Sequence, residues 1–280
     1  MAEQERSTPQ QVGLKVKVLY YPFMGTEINT ERLLLLARLC YSPMGIGRMG
    51  DLLTGNKPSD GKAGEFVRNL IEMGHMGALE HWYTTFAVEG YSRISSQQND
   101  RHRLMKMFKD AGVIYINAPE QGSPDTSQLQ QSQRYVKEDN FRYVMPPSFA
   151  RHPEFAERFQ RLQDEVMGIQ REGLELGLPA EDVRFALTNA TETRFVITTN
   201  ARQLRHMFNL RCCQRAQWEI RKMFTELLDE YKRIAPNIFY RAGASCEDLG
   251  YCPEGKMSCG RAPTLEALKE AYEEKKKQPK

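Results

Sequence analysis

Histidine and arginine side chains form the clusters of this sequence that could do chemistry. The sequence has 5 histidines, and most lie beside arginine, glutamate or asparagine. His75 and His81 share a Gly-His-x-x-x-x-Glu-His segment, and an Arg-His-Arg triplet occupies 101–103. Guanidinium groups donate two parallel hydrogen bonds, which suits phosphates and planar pyrimidine carbonyls. Each arginine alone is typical of a solvated surface, whereas the clusters favour binding of small anionic ligands.

The cysteines follow no recognisable metal or disulfide pattern. Of the 6 cysteines, Cys246, Cys252 and Cys259 lack the paired Cys-x-x-Cys spacing of a zinc knuckle. The adjacent cysteines at 212–213 suit free thiols in a reducing compartment better than a framework of bridges. We therefore predict no metal site and a cytoplasmic protein.

Length and composition exclude several classes of protein. The chain has 280 residues with a net charge of +3, 40% hydrophobic residues and 27% charged residues. These values are typical of a globular protein and not of a disordered or polybasic one. No apolar run approaches the ~18–20 residues of a membrane span, and the N-terminus lacks the apolar region of a secretion signal. We expect neither a membrane nor a nucleic-acid partner.

Hydrophobic periodicity places the clusters on short strands and amphipathic helices. The predicted strands are 14–20, 82–89 and 194–199, and the predicted helices are 30–41, 63–73, 93–109, 153–178, 201–210 and 216–234. Thr30 is the predicted N-cap of its helix, residues 51–61 predict a loop, and the apolar stripe of 153–178 predicts core packing. We expect a single α+β domain over 1–262, with a mixed or antiparallel sheet packed by helices, and a charged tail at 263–280.

Five ordered blocks of the chain resemble one enzyme family. The Arg-His-Arg at 101–103 and the Ser-x4-Ser-x-Arg-Tyr at 127–135 resemble the two halves of the signature of flavin-dependent thymidylate synthases. In that family the pattern is Arg-His-Arg-x-x-Ser-x-Asn-Glu-x-Ser-x-Arg-Tyr. Blocks at 74–81, 200–206 and 210–221 resemble further segments of the family in the same order.

The resemblance implies reductive methylation of dUMP to dTMP by a homotetramer whose active sites lie at subunit interfaces. It implies FAD as the cofactor, with NADPH and 5,10-methylenetetrahydrofolate as co-substrates. The residues that it assigns to FAD and the neighbouring folate are His75, Arg101, His102, Arg103, Asn200, Arg202 and His206. The residues that it assigns to dUMP are Gln98, Gln130, Ser132, Arg134, Arg184 and Arg211. Arg211 would also be catalytic, since a guanidinium at the N3–O4 edge of uracil stabilises the N3 anion and activates C5 without a cysteine.

The sequence departs from the family pattern within the signature. Residues 104–126 stand where the family has two residues, and Leu129 and Gln130 replace the usual Asn and Glu. Gly77 stands where a small hydroxyl residue is expected. We expect the polar tail of this insertion to face solvent and 104–108 to continue the preceding helix. Two alternatives stay open: a paralogue that alkylates another pyrimidine nucleotide at C5, and a non-enzymatic nucleotide-binding protein with the same fold.

Overall fold

Helices form the larger part of the structure, which is a computed structural model. The structure describes residues 8–43, 45–54, 60–100, 107–110, 113–116, 126–135 and 140–277. The α-helices are α1 (Ile46–Thr54), α2 (Asp60–Glu72), α3 (Arg93–Asp100), α4 (Pro147–Ala150), α5 (Pro153–Glu175), α6 (Ala180–Val183), α7 (Ala201–Arg211), α8 (Trp218–Ile234), α9 (Ser245–Leu249) and α10 (Leu265–Lys277). Turns of 3-10 helix occupy Thr30–Tyr41, Met76–His81, Arg184–Ala186 and Gly255–Met257. Within the described ranges no helix is both long and apolar enough to cross a membrane.

The strands are short and group into three sheets among the described residues. They are β1 (Gln10–Gln11), β2 (Lys15–Tyr20), β3 (Tyr83–Ser92), β4 (Met107–Asp110), β5 (Val113–Ile116), β6 (Thr126–Gln130), β7 (Arg142–Tyr143) and β8 (Glu192–Asn200). The largest sheet has the strand order β2-β3-β8-β6, β1 pairs with β7 in parallel, and β4 pairs with β5 in antiparallel register. The predicted α+β class, with an antiparallel sheet packed by helices, is confirmed.

Packing contacts divide the chain into two compact units. Unit 1 comprises Met1–Lys17 and Ala87–Ile197, and unit 2 comprises Val18–Phe86 and Thr198–Lys280. The division falls within β2, β3 and β8, so each of these strands contributes residues to both units. The domain limits of 1–262 and 263–280 stay a prediction.

The cap of the first 3-10 helix differs from the prediction. Asn29, and not Thr30, is the N-cap, because its Oδ1 accepts a hydrogen bond from the backbone N–H of Glu31 at 2.9 Å. The hydroxyl oxygen of Thr30 instead accepts a hydrogen bond from Nε1 of buried Trp82 at 2.8 Å. A partner 52 residues away thus decides the role of Thr30.

Two further elements differ from the sequence-based prediction. Of the predicted loop 51–61, residues 51–54 complete helix α1, residues 60–61 begin helix α2, and residues 55–59 lie outside the described residues. Met107–Asp110 is strand β4 and not a continuation of the helix at 93–109, because it pairs with Val113–Ile116, a run of β-branched and aromatic residues. The polar tail of the insertion, 117–125, lies outside the described residues.

Helix α5 buries only part of the apolar stripe that was predicted to pack in the core. Val166 is buried in the core of unit 1. Phe155, Leu162 and Ile169 are 50%, 45% and 47% exposed, and Leu176 just after the helix is 71% exposed. These four residues recur at heptad spacing, so those within α5 lie along one side of the helix. The stripe is therefore divided between the core and the surface.

Aromatic side chains form the centre of unit 2. Trp82, Phe208, Tyr231 and Phe239 are fully buried, and the Trp82 ring lies edge-on to Tyr231 at 6.1 Å and to Phe239 at 5.8 Å. Phe208 belongs to α7 and Tyr231 to α8, so this cluster packs the two helices against each other. The Trp82 carbonyl also accepts a hydrogen bond from the Ala201 N–H at 2.8 Å, which fixes the first residue of α7.

Candidate functional site

Asn200 is the N-cap of helix α7. Its Oδ1 accepts a hydrogen bond from the backbone N–H of Gln203 at 2.8 Å, and the residue is 1% exposed. An asparagine directly before a helical run is a signal for such a cap. The resemblance assigned Asn200 to FAD, so the structure adds a role that the site prediction omitted.

Arg202 and His75 lie on neighbouring elements of unit 2. The Arg202 guanidinium forms an ion pair with the Glu80 carboxylate. Glu80 belongs to the 3-10 helix Met76–His81, which packs against α7, and exposed His75 directly precedes that helix. Glu80 is therefore a functional candidate that the site prediction left out, although it lies in the same motif as His75.

The outer face of α7 suits an anionic cofactor group. Arg202 and His206 lie four residues apart, hence on one side of the helix, and His206 is exposed. Arg202 carries five N–H donors, so it can keep Glu80 and still donate to a ligand oxygen. Arg202 also lies in the first turn of α7, where the partial positive charge of the helix N-terminus favours an anion. This donor set fits the pyrophosphate of FAD.

A buried amide without a partner adjoins the Arg-His-Arg triplet. Gln98 and Asn99 lie near the end of α3, whereas Arg101, His102 and Arg103 lie outside the described residues. Asn99 is 2% exposed, and among the described residues neither its Oδ1 nor its Nδ2 has a hydrogen-bond partner. Buried amides are nearly always bonded, so Asn99 offers polar atoms that a ligand or the triplet could satisfy. The assignment of the triplet to FAD stays a prediction.

Gln130 joins β6 to two other elements of unit 1. Its Nε2 donates hydrogen bonds to the hydroxyl oxygens of Ser96 on α3 and Thr193 on β8, both at 3.0 Å. These bonds use both amide hydrogens, so towards dUMP the side chain acts through its Oε1, as an acceptor. No local pattern could predict this link, because Ser96 and Thr193 are 34 and 63 residues away from Gln130.

Three of the residues predicted to bind dUMP gather around Glu181 in unit 1. The Ser132 hydroxyl accepts a hydrogen bond from the Arg134 N–H at 3.2 Å, and Nε of Arg134 pairs with the Glu181 carboxylate at 2.8 Å. Nε of Arg184 donates to the backbone carbonyl of Glu181 at 3.1 Å. The Arg134 side chain is 57% exposed, so its guanidinium is accessible to a phosphate.

Arg211, the last residue of α7, lines a small cavity in unit 2. The cavity has a volume of about 240 Å³. Drug-sized ligands occupy about 300–1,000 Å³, so this cavity suits a single ring. Its walls also include Asn209, Leu210, Cys213, Gln214, Arg215, Ala216, Ala244, Ser245, Cys246, Cys252, Glu254, Cys259, Arg261 and Ala262.

A larger cavity lies in unit 1 and contains one of the predicted site residues. It measures about 760 Å³ and contains Gln130 as its single predicted site residue. Two of its cationic side chains face a carboxylate, since Lys15 and Arg194 lie 2.9 Å and 3.9 Å from Glu89, and Lys17 also lines the cavity. The hydrogen bond from Lys15 holds the pKa of Glu89 below its ordinary value.

The cysteines near Arg211 are free thiols. All six cysteines are unbridged, and burial raises the pKa of the Cys212 thiol to about 12. Burial also raises the pKa of Cys246, which lines the cavity. A thiol with a raised pKa forms little of the nucleophilic thiolate near neutral pH. In the described part of the chain, no three or more His, Cys, Asp or Glu residues are grouped to hold a metal ion.

Known proteins resemble this chain over most of its length. The family model described as "Thymidylate synthase complementing protein" matches residues 26–237. A flavin-dependent thymidylate synthase of Clostridium tetani is 36% identical over 274 residues, which cover 92% of this chain and 97% of that protein. One from Geobacter sulfurreducens is 40% identical over 236 residues, which cover 84% of this chain and 90% of that protein.

The α+β fold and these matches place the chain among enzymes rather than binding modules. The chain belongs to the flavin-dependent thymidylate synthase family. The family resemblance that its signature residues indicated is therefore confirmed. The roles of the individual site residues stay predictions.

The two roles of Asn200 can be separated by substitution. We expect Asn200→Ala to lower the free energy of unfolding by about 1 kcal/mol, because α7 loses its N-cap. Asn200→Ser should retain most of that stability, since a serine hydroxyl also caps a helix, while it removes the carboxamide. Urea unfolding and the bound flavin per chain check both variants. Equal unfolding free energies of the two variants would contradict the capping role.

Proposed function

We propose that this chain catalyses the reductive methylation of dUMP to dTMP, with FAD as cofactor, 5,10-methylenetetrahydrofolate as carbon donor and NADPH as reductant. The single observation that carries the proposal is the position of Arg211, at the end of a fixed helix and in the wall of a cavity suited to one ring. Relatives named flavin-dependent thymidylate synthase match up to 92% of the chain and support the reaction.

Arg211 activates the pyrimidine in this proposal. When uracil has lost its N3 proton to solvent, the Arg211 guanidinium donates two parallel hydrogen bonds to N3 and O4, and its charge stabilises this anion. Electron density then rises at C5, the carbon that receives the methyl group. The packing of α7 against α8 holds Arg211 in place before the substrate arrives, which lowers the entropic cost of reaching the reactive geometry.

FAD, when bound, supplies the hydride that completes the methyl group. Arg202 and His206 bind its pyrophosphate from the outer face of α7, and His75 lies near the flavin and the folate. Arg101, His102 and Arg103 contribute further donors. Purified protein should be yellow with flavin absorption bands, whereas a folded colourless protein would favour the non-enzymatic nucleotide-binding alternative.

The phosphate of dUMP binds the side chains around Glu181. Arg134 and Arg184 offer two guanidinium groups, and Ser132 adds a hydroxyl. Gln130 and Gln98 contact the rest of the nucleotide. Analysis of the products formed from dUMP and from UMP tests the alternative of another pyrimidine substrate.

The proposed assembly is a homotetramer with active sites at subunit interfaces, located in the cytoplasm. An apolar stripe on the surface supports this assembly. Its members are Phe155, Leu162, Ile169 and Leu176, and each is about half exposed or more. Contiguous apolar surface of this kind is usually covered by a partner, which here would be another subunit. The free thiols support a reducing compartment.

Replacement of Arg211 by lysine tests the mechanism. Lysine keeps the charge and loses the planar fork, so we expect Arg211→Lys to fold and to bind FAD. The rate of methylation by this variant should fall by about two orders of magnitude, because the removal of one preorganised donor typically costs that much. Single-turnover oxidation of the reduced flavin by methylenetetrahydrofolate and dUMP measures this rate. Arg233→Lys, at an exposed arginine paired with Glu230, is the matched control. A near-normal rate for Arg211→Lys would refute the activation of uracil.

Replacement of Arg134 by alanine tests the phosphate site. Hydrogen bonds to charged groups contribute about 1.5–3 kcal/mol, so kcat/KM for dUMP should fall by roughly 10- to 100-fold. The value for deoxyuridine, which lacks the phosphate, should change little. Arg151→Ala, at an exposed arginine after α4, serves as control. Equal losses with dUMP and deoxyuridine would show that Arg134 does not bind the phosphate.

A charge on the exposed stripe of α5 tests the assembly. We expect Ile169→Glu to reduce the mass of the native particle, because burial of a carboxylate in an apolar interface is costly. Light scattering after size exclusion measures that mass. Met73→Glu alters an apolar residue that is 61% exposed and lies outside the stripe, and it should leave the mass unchanged. A tetramer that survives Ile169→Glu would remove α5 from the proposed interface.

A further inference from the structure

The cavity around Arg211 takes part of its wall from beyond the family match. The family model ends at residue 237, whereas the wall includes Ser245, Cys252 and Glu254. We name residues 238–264 the C-terminal segment. The described geometry of this segment ties it to both sides of Arg211.

Hydrogen bonds of Arg205 connect the buried face of α7 to the C-terminal segment. Its side chain is 3% exposed, and its Nη1 donates to the backbone carbonyls of Ile238 and Tyr240 at 3.0 and 2.8 Å. Its Nη2 donates to the Asp248 carboxylate at 3.1 Å. A buried guanidinium with these three acceptors fixes the separation of the helix and the segment, because loss of any acceptor would leave a desolvated charge unsatisfied.

Two more contacts hold the chain on either side of Arg211. The Ser245 hydroxyl donates to the backbone carbonyl of Asn209 at 3.2 Å. This carbonyl is one of the last four of α7, which have no partner within the helix. Nη1 of Arg215, in the loop after α7, pairs with the Glu254 carboxylate at 3.1 Å.

The C-terminal segment is itself anchored at its start. Glu31, which is 0% exposed, accepts hydrogen bonds from the backbone N–H groups of Asn237 and Ile238 at 2.6 and 3.2 Å. Within the segment, the Cys252 N–H donates to the Pro263 carbonyl at 2.7 Å, which closes the stretch between these two residues into a loop. The segment is therefore a fixed support, against which α7 can be held in position.

We propose that the C-terminal segment positions Arg211 for the reaction, with Arg205, Ser245 and Asp248 as the positioning residues. The inference rests on the proposed function, in which the Arg211 guanidinium faces the uracil ring. Arg205 and Arg211 belong to one helix, so a change in the contacts of Arg205 that shifts the helix also shifts Arg211. Misplacement of a catalytic group by about 1 Å can cost up to 10²-fold in rate.

A double-mutant cycle on the holoenzyme tests this inference. Asp248→Asn removes the charge that pairs with Arg205 and preserves the side-chain shape. We expect it to lower the single-turnover rate about tenfold in the wild-type background, with the flavin content unchanged. In the Arg211→Lys background it should lower the rate less than about twofold, because effects that act through one group are not additive. Glu226→Gln, which breaks the exposed Lys222–Glu226 pair on α8, should leave the rate unchanged.

The outcomes separate this inference from the proposed function. A wild-type holoenzyme that forms no dTMP would overturn both. An active wild type in which Asp248→Asn has no effect, or has the same effect in both backgrounds, would overturn the positioning role alone. If Asp248→Asn fails to fold, Ser245→Ala replaces it in the same cycle. That variant keeps every charge and should lower the rate about threefold in the wild-type background alone.

Discussion

Helix α7 is fixed at both ends, and this constraint determines where the residues proposed to bind the flavin and the pyrimidine can lie. At its start, the Asn200 side chain caps the helix and the Ala201 N–H binds the Trp82 carbonyl. A helix rises 1.5 Å per residue, so the Cα atoms of Arg202 and Arg211 lie about 14 Å apart along the axis. The proposed flavin group and the proposed uracil group therefore occupy opposite ends of one rigid element.

The two faces of α7 divide stability from function. Leu204 and Phe208 are fully buried beside the aromatic centre of unit 2, and truncation of such a side chain costs about 2–5 kcal/mol. Arg202 and His206 lie on the outer face, where substitution changes few packing contacts. Variants of the outer face can therefore test the proposed flavin contacts while the helix keeps its position.

Local patterns predicted much of this molecule, and long-range pairs account for most of what they missed. The signature residues indicated the family, and the apolar periodicity gave α7 and α8 to within two residues. The partners Glu181 and Asp248 escaped prediction, because each carboxylate meets its arginine, Arg134 or Arg205, only after the chain has folded. No spacing in the sequence specifies such a pair. The prediction that the whole α5 stripe packs in the core was wrong for a related reason, since periodicity identifies an apolar face but not what covers it.

The replacement of the family's usual glutamate by Gln130 has a physical explanation in the neighbouring hydrogen bonds. The Ser96 hydroxyl donates its single hydrogen to the backbone carbonyl of Arg93 at 2.8 Å, so towards Gln130 its oxygen can only accept. Gln130 supplies the required donor and a second one to Thr193. An ionised glutamate at this position would have no hydrogen to donate. Ser96 could then bond to it only by donating its own hydrogen, and it would lose its hydrogen bond to the Arg93 carbonyl. In this chain the Gln130 amide therefore keeps β6 joined to α3 and β8. The replacement of glutamate by glutamine thus preserves the position of the end of β6, from which the chain continues to Ser132 and Arg134.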